Sequence, residues 1–144
     1  MKYLSYLFFS SVFLFYSCDN SIETYSAFDY SIDQKMDCFC SQAGTWVRLF
    51  VKADTISYAI RISDNKTLDY KDYKNYKSVN ELFDLIYGTD TNLYNMVFEM
   101  DVSNNFPSYI YINPKPIMYP DSVIAIVEDA QFAYTSKNYI KLRD

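Results

Sequence analysis

Among its 144 residues the chain has no histidine, and that absence narrows the chemistry more than any residue present widens it. Without imidazole the commonest general base, the commonest metal ligand and the usual switch near neutral pH are all missing. Cysteine is scarce, with three residues, so no set of soft ligands for a metal is at hand. A basic excess is lacking as well: 18 acidic residues face 13 basic ones, a formal net charge of −5. Nucleic acid and anionic headgroups both need a cationic footprint, so neither is an expected partner. Only two glycines occur, which makes Gly44 and Gly88 punctuation marks rather than background. Finally, no apolar run reaches the roughly 20 residues that a membrane-spanning helix requires.

The longest apolar run lies at the N-terminus and reads as a leader. Met1 and Lys2 supply a small positive region, and Leu4 to Tyr16 an uncharged apolar stretch of signal-peptide length. Ser17 and Cys18 follow directly. A small residue before a cysteine at this place resembles a lipobox, loosely, since Phe15 and Tyr16 are bulkier than usual. That reading makes residues 1–17 a lipoprotein signal peptide and Cys18 the lipidated N-terminus of the mature chain. An ordinary secretion signal and a short uncleaved anchor are the alternatives. Several acyl chains on one cysteine hold a protein stably, whereas a single chain does so only marginally. Cleavage leaves 127 residues with 12 basic and 18 acidic side chains, enough for one domain. Residues 18–25 read as a short polar tether and 26–144 as a single domain.

Aromatic residues are plentiful, with 16 Tyr and 11 Phe. They point to strands, where such side chains pack well, and no cluster stands apart from the strands as a stacking platform. Phe28, Tyr30 and Ile32 alternate in a first strand. Ser41 to Gly44 reads as a hairpin turn, with Gly44 free to take a positive φ. Thr45 to Ala53 and Ile56 to Ser63 follow as strands. The polar stretch Asp64 to Lys77, with its spaced Tyr-Lys pairs, reads as a solvated loop. Ser78 with Glu81 forms a capping box for a helix to Tyr87, whose Val79, Leu82, Phe83 and Ile86 make one apolar face. Gly88 sits where a left-handed cap belongs. Leu93 to Val102 and Pro107 to Asn113 read as strands around Ser103–Asn105, Lys115 to Ser122 as a loop with two prolines, and Val123 to Val127 followed by Gln131 to Thr135 as a last strand broken near Glu128-Asp129. The expected fold is α+β: an antiparallel sheet of about five to six strands with one main helix on one face.

With Cys18 assigned to lipid, Cys38 and Cys40 remain. In an extended strand, residues i and i+2 lie about 6.6 Å apart on one face, near the upper limit for a disulfide. A bond between them requires the chain to curl, which the turn at 41–44 permits. It would close a loop of about three residues and stabilise by roughly 1.6 kcal/mol before strain. Four readings stay open: a structural disulfide, free buried thiols, a redox-active pair, and a metal site. The last needs ligands the chain lacks, and the redox reading lacks the helix N-terminal activation of the familiar motifs.

Tyr30, Cys38-Phe39-Cys40, the helix segment Glu81-Leu82-Phe83-Asp84-Leu85-Ile86 and the later Phe106-Pro107-Ser108-Tyr109-Ile110-Tyr111-Ile112 together carry a resemblance. Over roughly residues 22–135 the chain resembles a group of small bacterial lipoproteins and secreted proteins classed as a domain of unknown function. Ser41 stands where that group often has proline, and Asn105 where it has glycine; asparagine tolerates the left-handed conformation better than most residues. The resemblance implies fold and location, and carries no activity.

The expected function is a non-enzymatic binding or accessory module of the bacterial cell envelope. The membrane lipid anchor and an envelope protein are its expected partners, with no cofactor and no metal. Thiol–disulfide exchange through Cys38 and Cys40 is one alternative. A carboxylate-dependent hydrolase using residues such as Asp84, Glu99, Asp101, Asp121, Glu128 or Asp129 is another. Paired carboxylates can hydrolyse glycosides, but solubility accounts for the same residues and no spacing pairs them.

Overall fold

A computed structural model describes residues 28–38, 40–118, 124–125 and 131–142. The leader, Cys18, the tether, Phe39, Asp121, Glu128 and Asp129 lie outside the described residues. The strands are β1 (Tyr30–Asp37), β2 (Trp46–Lys52), β3 (Thr55–Arg61), β4 (Lys66–Thr67), β5 (Tyr94–Asp101), β6 (Phe106–Pro114), β7 (Ile117–Met118), β8 (Ile124–Ala125) and β9 (Phe132–Lys141). Two helices, α1 (Tyr70–Tyr73) and α2 (Val79–Gly88), lie between β4 and β5. Seven strands form one sheet in the order β4-β3-β2-β1-β9-β6-β5, and every pairing in it is antiparallel. Strands β7 and β8 pair separately.

This arrangement overturns the expected α+β fold of five or six strands with one main helix. The sheet is larger, and the helices are only four and ten residues long. Two segments account for the difference. Asp64 to Lys77 is not a solvated loop: it holds β4 and α1, and Tyr76 is fully buried with its hydroxyl donating to the Thr45 carbonyl at 3.0 Å. The last strand does not continue from Val123 to Val127, where Ile124–Ala125 pairs with β7 instead; it runs ten residues from Phe132 to Lys141, past Thr135, and lies between β1 and β6. Its second half, Ser136-Lys137-Asn138-Tyr139-Ile140-Lys141, is polar enough to hide the alternation that marks a strand.

One face of the sheet carries the core. Ile32 and Met36 of β1, Val47 and Leu49 of β2, Ala59 of β3, Ile110 and Ile112 of β6 and Tyr134 of β9 pack with Leu82 and Ile86 of α2. These residues alternate along their strands, which places them together on one side. The helix starts where the capping box predicts. Ser78 Oγ accepts from the Glu81 amide, and the Glu81 carboxylate accepts from the Ser78 amide at 2.7 Å. Its end differs from expectation, because Gly88 remains helical and has no positive φ. The Thr89 hydroxyl instead donates to the Leu85 carbonyl at 2.6 Å, satisfying one of the last unpaired acceptors. Ten residues cannot hold a helix in water on propensity alone, so the sheet fixes α2. Gln34 of β1 does so directly, accepting from the Lys77 amide at 2.9 Å and donating to the Lys77 carbonyl at 3.2 Å. The Tyr30 hydroxyl accepts from the Val79 amide at 2.9 Å, capping a second helical donor.

Candidate functional site

Among the described residues no helix packs on the opposite face of β3, β2, β1 and β9, and its centre is a buried charge. Asp33 of β1 is only 2% exposed although it points away from the core. Its neighbours follow from register: Arg48 lies across from it on β2 and Lys137 across from it on β9. The Arg48 guanidinium donates to both carboxylate oxygens, Nε to Oδ1 at 2.7 Å and one terminal nitrogen to Oδ2 at 3.0 Å. Such a two-point pair is short, charge-assisted and geometrically demanding. Asn138 completes the set, donating from Nδ2 to Oδ2 at 2.9 Å.

The position of Asn138 comes from an irregularity in the ladder. Between Asp33 and Ser31 β1 advances two residues, while β9 advances three, from Lys137 to Ile140. The extra residue makes a β-bulge, and Asn138 takes φ +53° there, a conformation asparagine accepts more readily than most side chains. Bulges re-aim side chains, and this one turns an amide onto the Asp33 carboxylate.

Around this centre lies a groove of about 770 Å³, lined among others by Trp46, Arg48, Arg61, Ser63, Lys137 and Asp33. Lys137 Nζ stands 3.9 Å from the centroid of the Trp46 ring, a cation–π contact across the β1 strand. Arg61 pairs with Asp64 at 3.3 Å on the rim. Arg48 and Ile62 also border a second hollow of about 240 Å³, floored by Phe50, Ile60, Ile140 and Leu142. Beyond it Phe28 packs on Phe50 and Tyr58, with ring centroids 5.4 and 6.4 Å apart. The face therefore grades from cationic and aromatic at one end to apolar at the other.

Both Asp33 oxygens accept hydrogen bonds, Oδ1 from Arg48 and Oδ2 from Arg48 and Asn138. No buried side-chain nitrogen or oxygen among the described residues lacks a partner. Nor does any group of three or more His, Cys, Asp or Glu come together among them to hold a metal ion.

Of the carboxylates considered for hydrolysis, Asp84, Glu99 and Asp101 lie among the described residues, and Asp121, Glu128 and Asp129 do not. Asp84 is exposed on α2 and Glu99 is exposed on β5. Asp101 caps the turn at 102–105, accepting from the Ser103 and Asn104 amides and from the Asn104 side chain. The Asn104 side chain first, helped by the two amides, holds its carboxyl below the usual range. Asn105 in that turn has φ +53°, as its tolerance for the left-handed region allows.

Cys38 and Cys40 form a close pair at the exit of β1, with Cα atoms 5.3 Å apart and sulfurs in bonding contact. The separation is shorter than a flat strand gives, because the chain curls into the turn at 41–44. There the Ala43 amide donates to the Cys40 carbonyl at 3.1 Å and Gly44 takes φ +73°. Both cysteines are half-buried against the core, and Cys38 borders a hollow of about 350 Å³ with Tyr109, Tyr111 and Phe132.

Asp33, Trp46, Arg48, Lys137 and Asn138 were not singled out by sequence reasoning. The one usable signal is Arg48, a charge at the middle of the apolar strand Trp46-Val47-Arg48-Leu49-Phe50, which asks for a partner on a neighbouring strand. Which partner it finds depends on the pairing of β1 with β2 and β9, and spacing along the chain does not encode that.

No curated protein and no solved structure matches the chain. The model of a family of unknown function, DUF6174, matches residues 20–132, and the chain belongs to that family.

Proposed function

We propose that the chain is a bacterial envelope lipoprotein, anchored through Cys18, whose domain is a non-enzymatic binding module. Its contact surface is the open face of β3, β2, β1 and β9, and it receives an acidic segment of another envelope protein. The observation that carries this reading is the groove at Asp33. On a chain of net charge −5, Arg48 (paired with Asp33), Arg61 (paired with Asp64) and Lys137 (lying over the Trp46 ring) line one cavity, so the cations there outnumber the carboxylates they meet. Local positive charge on an acidic protein steers an anionic partner to one place and away from the rest of the surface. Aromatic and arginine side chains at the centre of a contact are the ones that carry most of its energy. The tether of residues 18–25 keeps that face near the membrane, where such a partner is met. A Cys38–Cys40 disulfide serves as a local clamp on the end of β1 in this reading, holding the turn that borders the groove.

The test is a cross-linking capture from native membranes. Wild-type chain is compared with Lys137→Glu, and with Asp84→Lys on the helical side as a control. Capture that Lys137→Glu lowers at least tenfold, while Asp84→Lys leaves it unchanged, supports the open face. Equal capture by all three, or loss with the control alone, rejects it.

A further inference from the structure

The groove at Asp33 does not end at Arg48. Along β2, Trp46, Arg48 and Phe50 alternate onto the open face, and the rows of the sheet continue across them. Arg48 lies between Asp33 and Ile60; Phe50, one row further on, lies between Ser31 and Tyr58. Ser31 in turn faces Ile140 of β9. The hollow of about 240 Å³ belongs to this second row, and Arg48 and Ile62 border both it and the groove. Beyond Arg48 its lining is mainly apolar: Phe50 is buried, Ile60, Ile62 and Leu142 are half-buried, and Ile140 is 48% exposed. Arg48 therefore stands between a cationic compartment and an apolar one. Two magnitudes select what could fill both. Sites that enclose a whole small molecule have roughly 300–1,000 Å³, so a hollow of about 240 Å³ takes one side chain of something larger. In an extended segment, side chains on one face recur every two residues, about 6.6 Å apart, which is also the step from Trp46 to Arg48 and from Arg48 to Phe50.

We propose, resting on the acidic-segment reading above, that the segment bound here is extended and carries an aliphatic side chain two residues from its acidic one. The carboxylate lies over the groove and the aliphatic group fills the hollow. Charge complementarity places the acid. Lys137 is exposed, lies over the Trp46 ring, and among the described residues forms no ion pair, so it is the cation the ligand meets. Solvation places the second group. A polar side chain set against Phe50 and the isoleucines would lose water without gaining a partner there, whereas an aliphatic one removes apolar surface from water on both sides. The residue between them points away from the sheet and is left unrestricted. The partner is thus recognised by a spacing and not by charge alone, which separates it from the many other acidic segments an envelope protein can offer.

The experiment uses the full-length chain in lipid nanodiscs and reads the fluorescence of Trp46, the chain's one tryptophan, which borders the groove. The probes are short glycine-serine peptides carrying Glu-Ser-Leu, Leu-Ser-Glu, Glu-Leu-Ser, Glu-Ser-Ser or Gln-Ser-Leu at the centre. At least one of Glu-Ser-Leu and Leu-Ser-Glu, which test the two chain directions, is expected to bind about tenfold tighter than Glu-Ser-Ser, the gain from one buried aliphatic side chain. Glu-Leu-Ser, whose leucine points away from the sheet, is expected to show no gain. Neither is any peptide on the Ile140→Ser chain, in which a half-exposed wall of the hollow is removed and the core is untouched. Equal binding of Glu-Ser-Leu, Leu-Ser-Glu and Glu-Ser-Ser, or a gain shared by Glu-Leu-Ser, overturns the proposal and leaves the groove reading standing. Gln-Ser-Leu binding as tightly as Glu-Ser-Leu, or no response to any peptide, overturns both. Octanoate binding tighter than either spaced peptide assigns the hollow to a lipid chain and also overturns the proposal.

Discussion

Two kinds of residue give the open face and the core their separate characters. Asp33 is buried, and Arg48 and Asn138 supply the donors its two carboxylate oxygens need there. Removing one partner of a buried pair leaves an uncompensated charge, which costs more than the pair contributes. Because 41% of the Arg48 side chain is open to solvent, the cost falls below that of a fully enclosed pair. Arg48→Met is therefore expected to lower stability by about 2 kcal/mol in urea denaturation. The double change Asp33→Leu with Arg48→Met recovers a large part of that loss. A double variant no more stable than Arg48→Met contradicts the pairing.

The buried tyrosines make a second residue-scale prediction. Burial pushes the phenols of Tyr30, Tyr76 and Tyr134 up to about 12 from an ordinary 10. Between these values the folded chain holds protons that the unfolded chain has released, so unfolding is favoured as pH rises. The contribution of these groups is complete below pH 10 and declines through pH 12. Absorbance at the phenolate band is expected to show three late-titrating tyrosines, released together with the loss of the fold. Ionisation of all tyrosines near pH 10 with the fold intact contradicts this. In the sequence nothing distinguishes Tyr76 from Tyr70 or Tyr73, because its burial comes from contacts outside its own segment. Its hydroxyl ends on Thr45, 31 residues away.

Elements were legible where their signals are local. The capping box of α2 needs four residues, Ser78 to Glu81, and it was readable from them; Ser78→Ala is expected to cost about 1 kcal/mol. Amide exchange in the first turn of α2 rises with that loss, and unchanged protection there would refute the cap. Strands with clean alternation, such as Tyr109-Ile110-Tyr111-Ile112, were equally plain. The end of β9 was not, since Lys137 and Asn138 serve the open face and Asn138 breaks the ladder with a bulge. The same two residues that hid the strand build the groove. Gly88 misled for the complementary reason, because Thr89 ends the helix through its own hydroxyl.

For the whole molecule, the antiparallel pairing of the strands was readable from element order, but the α+β expectation built on it was not met: the sheet is larger and the helices are smaller than that order suggested. Seven strands close only when β9 enters between β1 and β6, a pairing across about a hundred residues of chain. The open face arises from that insertion, which sets Lys137 and Asn138 beside Asp33. The proposed lipid at Cys18 determines where that face operates. Intact mass of the chain extracted from membranes, taken with and without reduction and thiol alkylation, measures the tether directly. The expected result is a chain beginning at Cys18 and carrying acyl groups, with a two-hydrogen deficit that reduction restores at Cys38 and Cys40. A chain without lipid, or one that keeps Met1 to Ser17, contradicts the membrane-tethered reading of this domain.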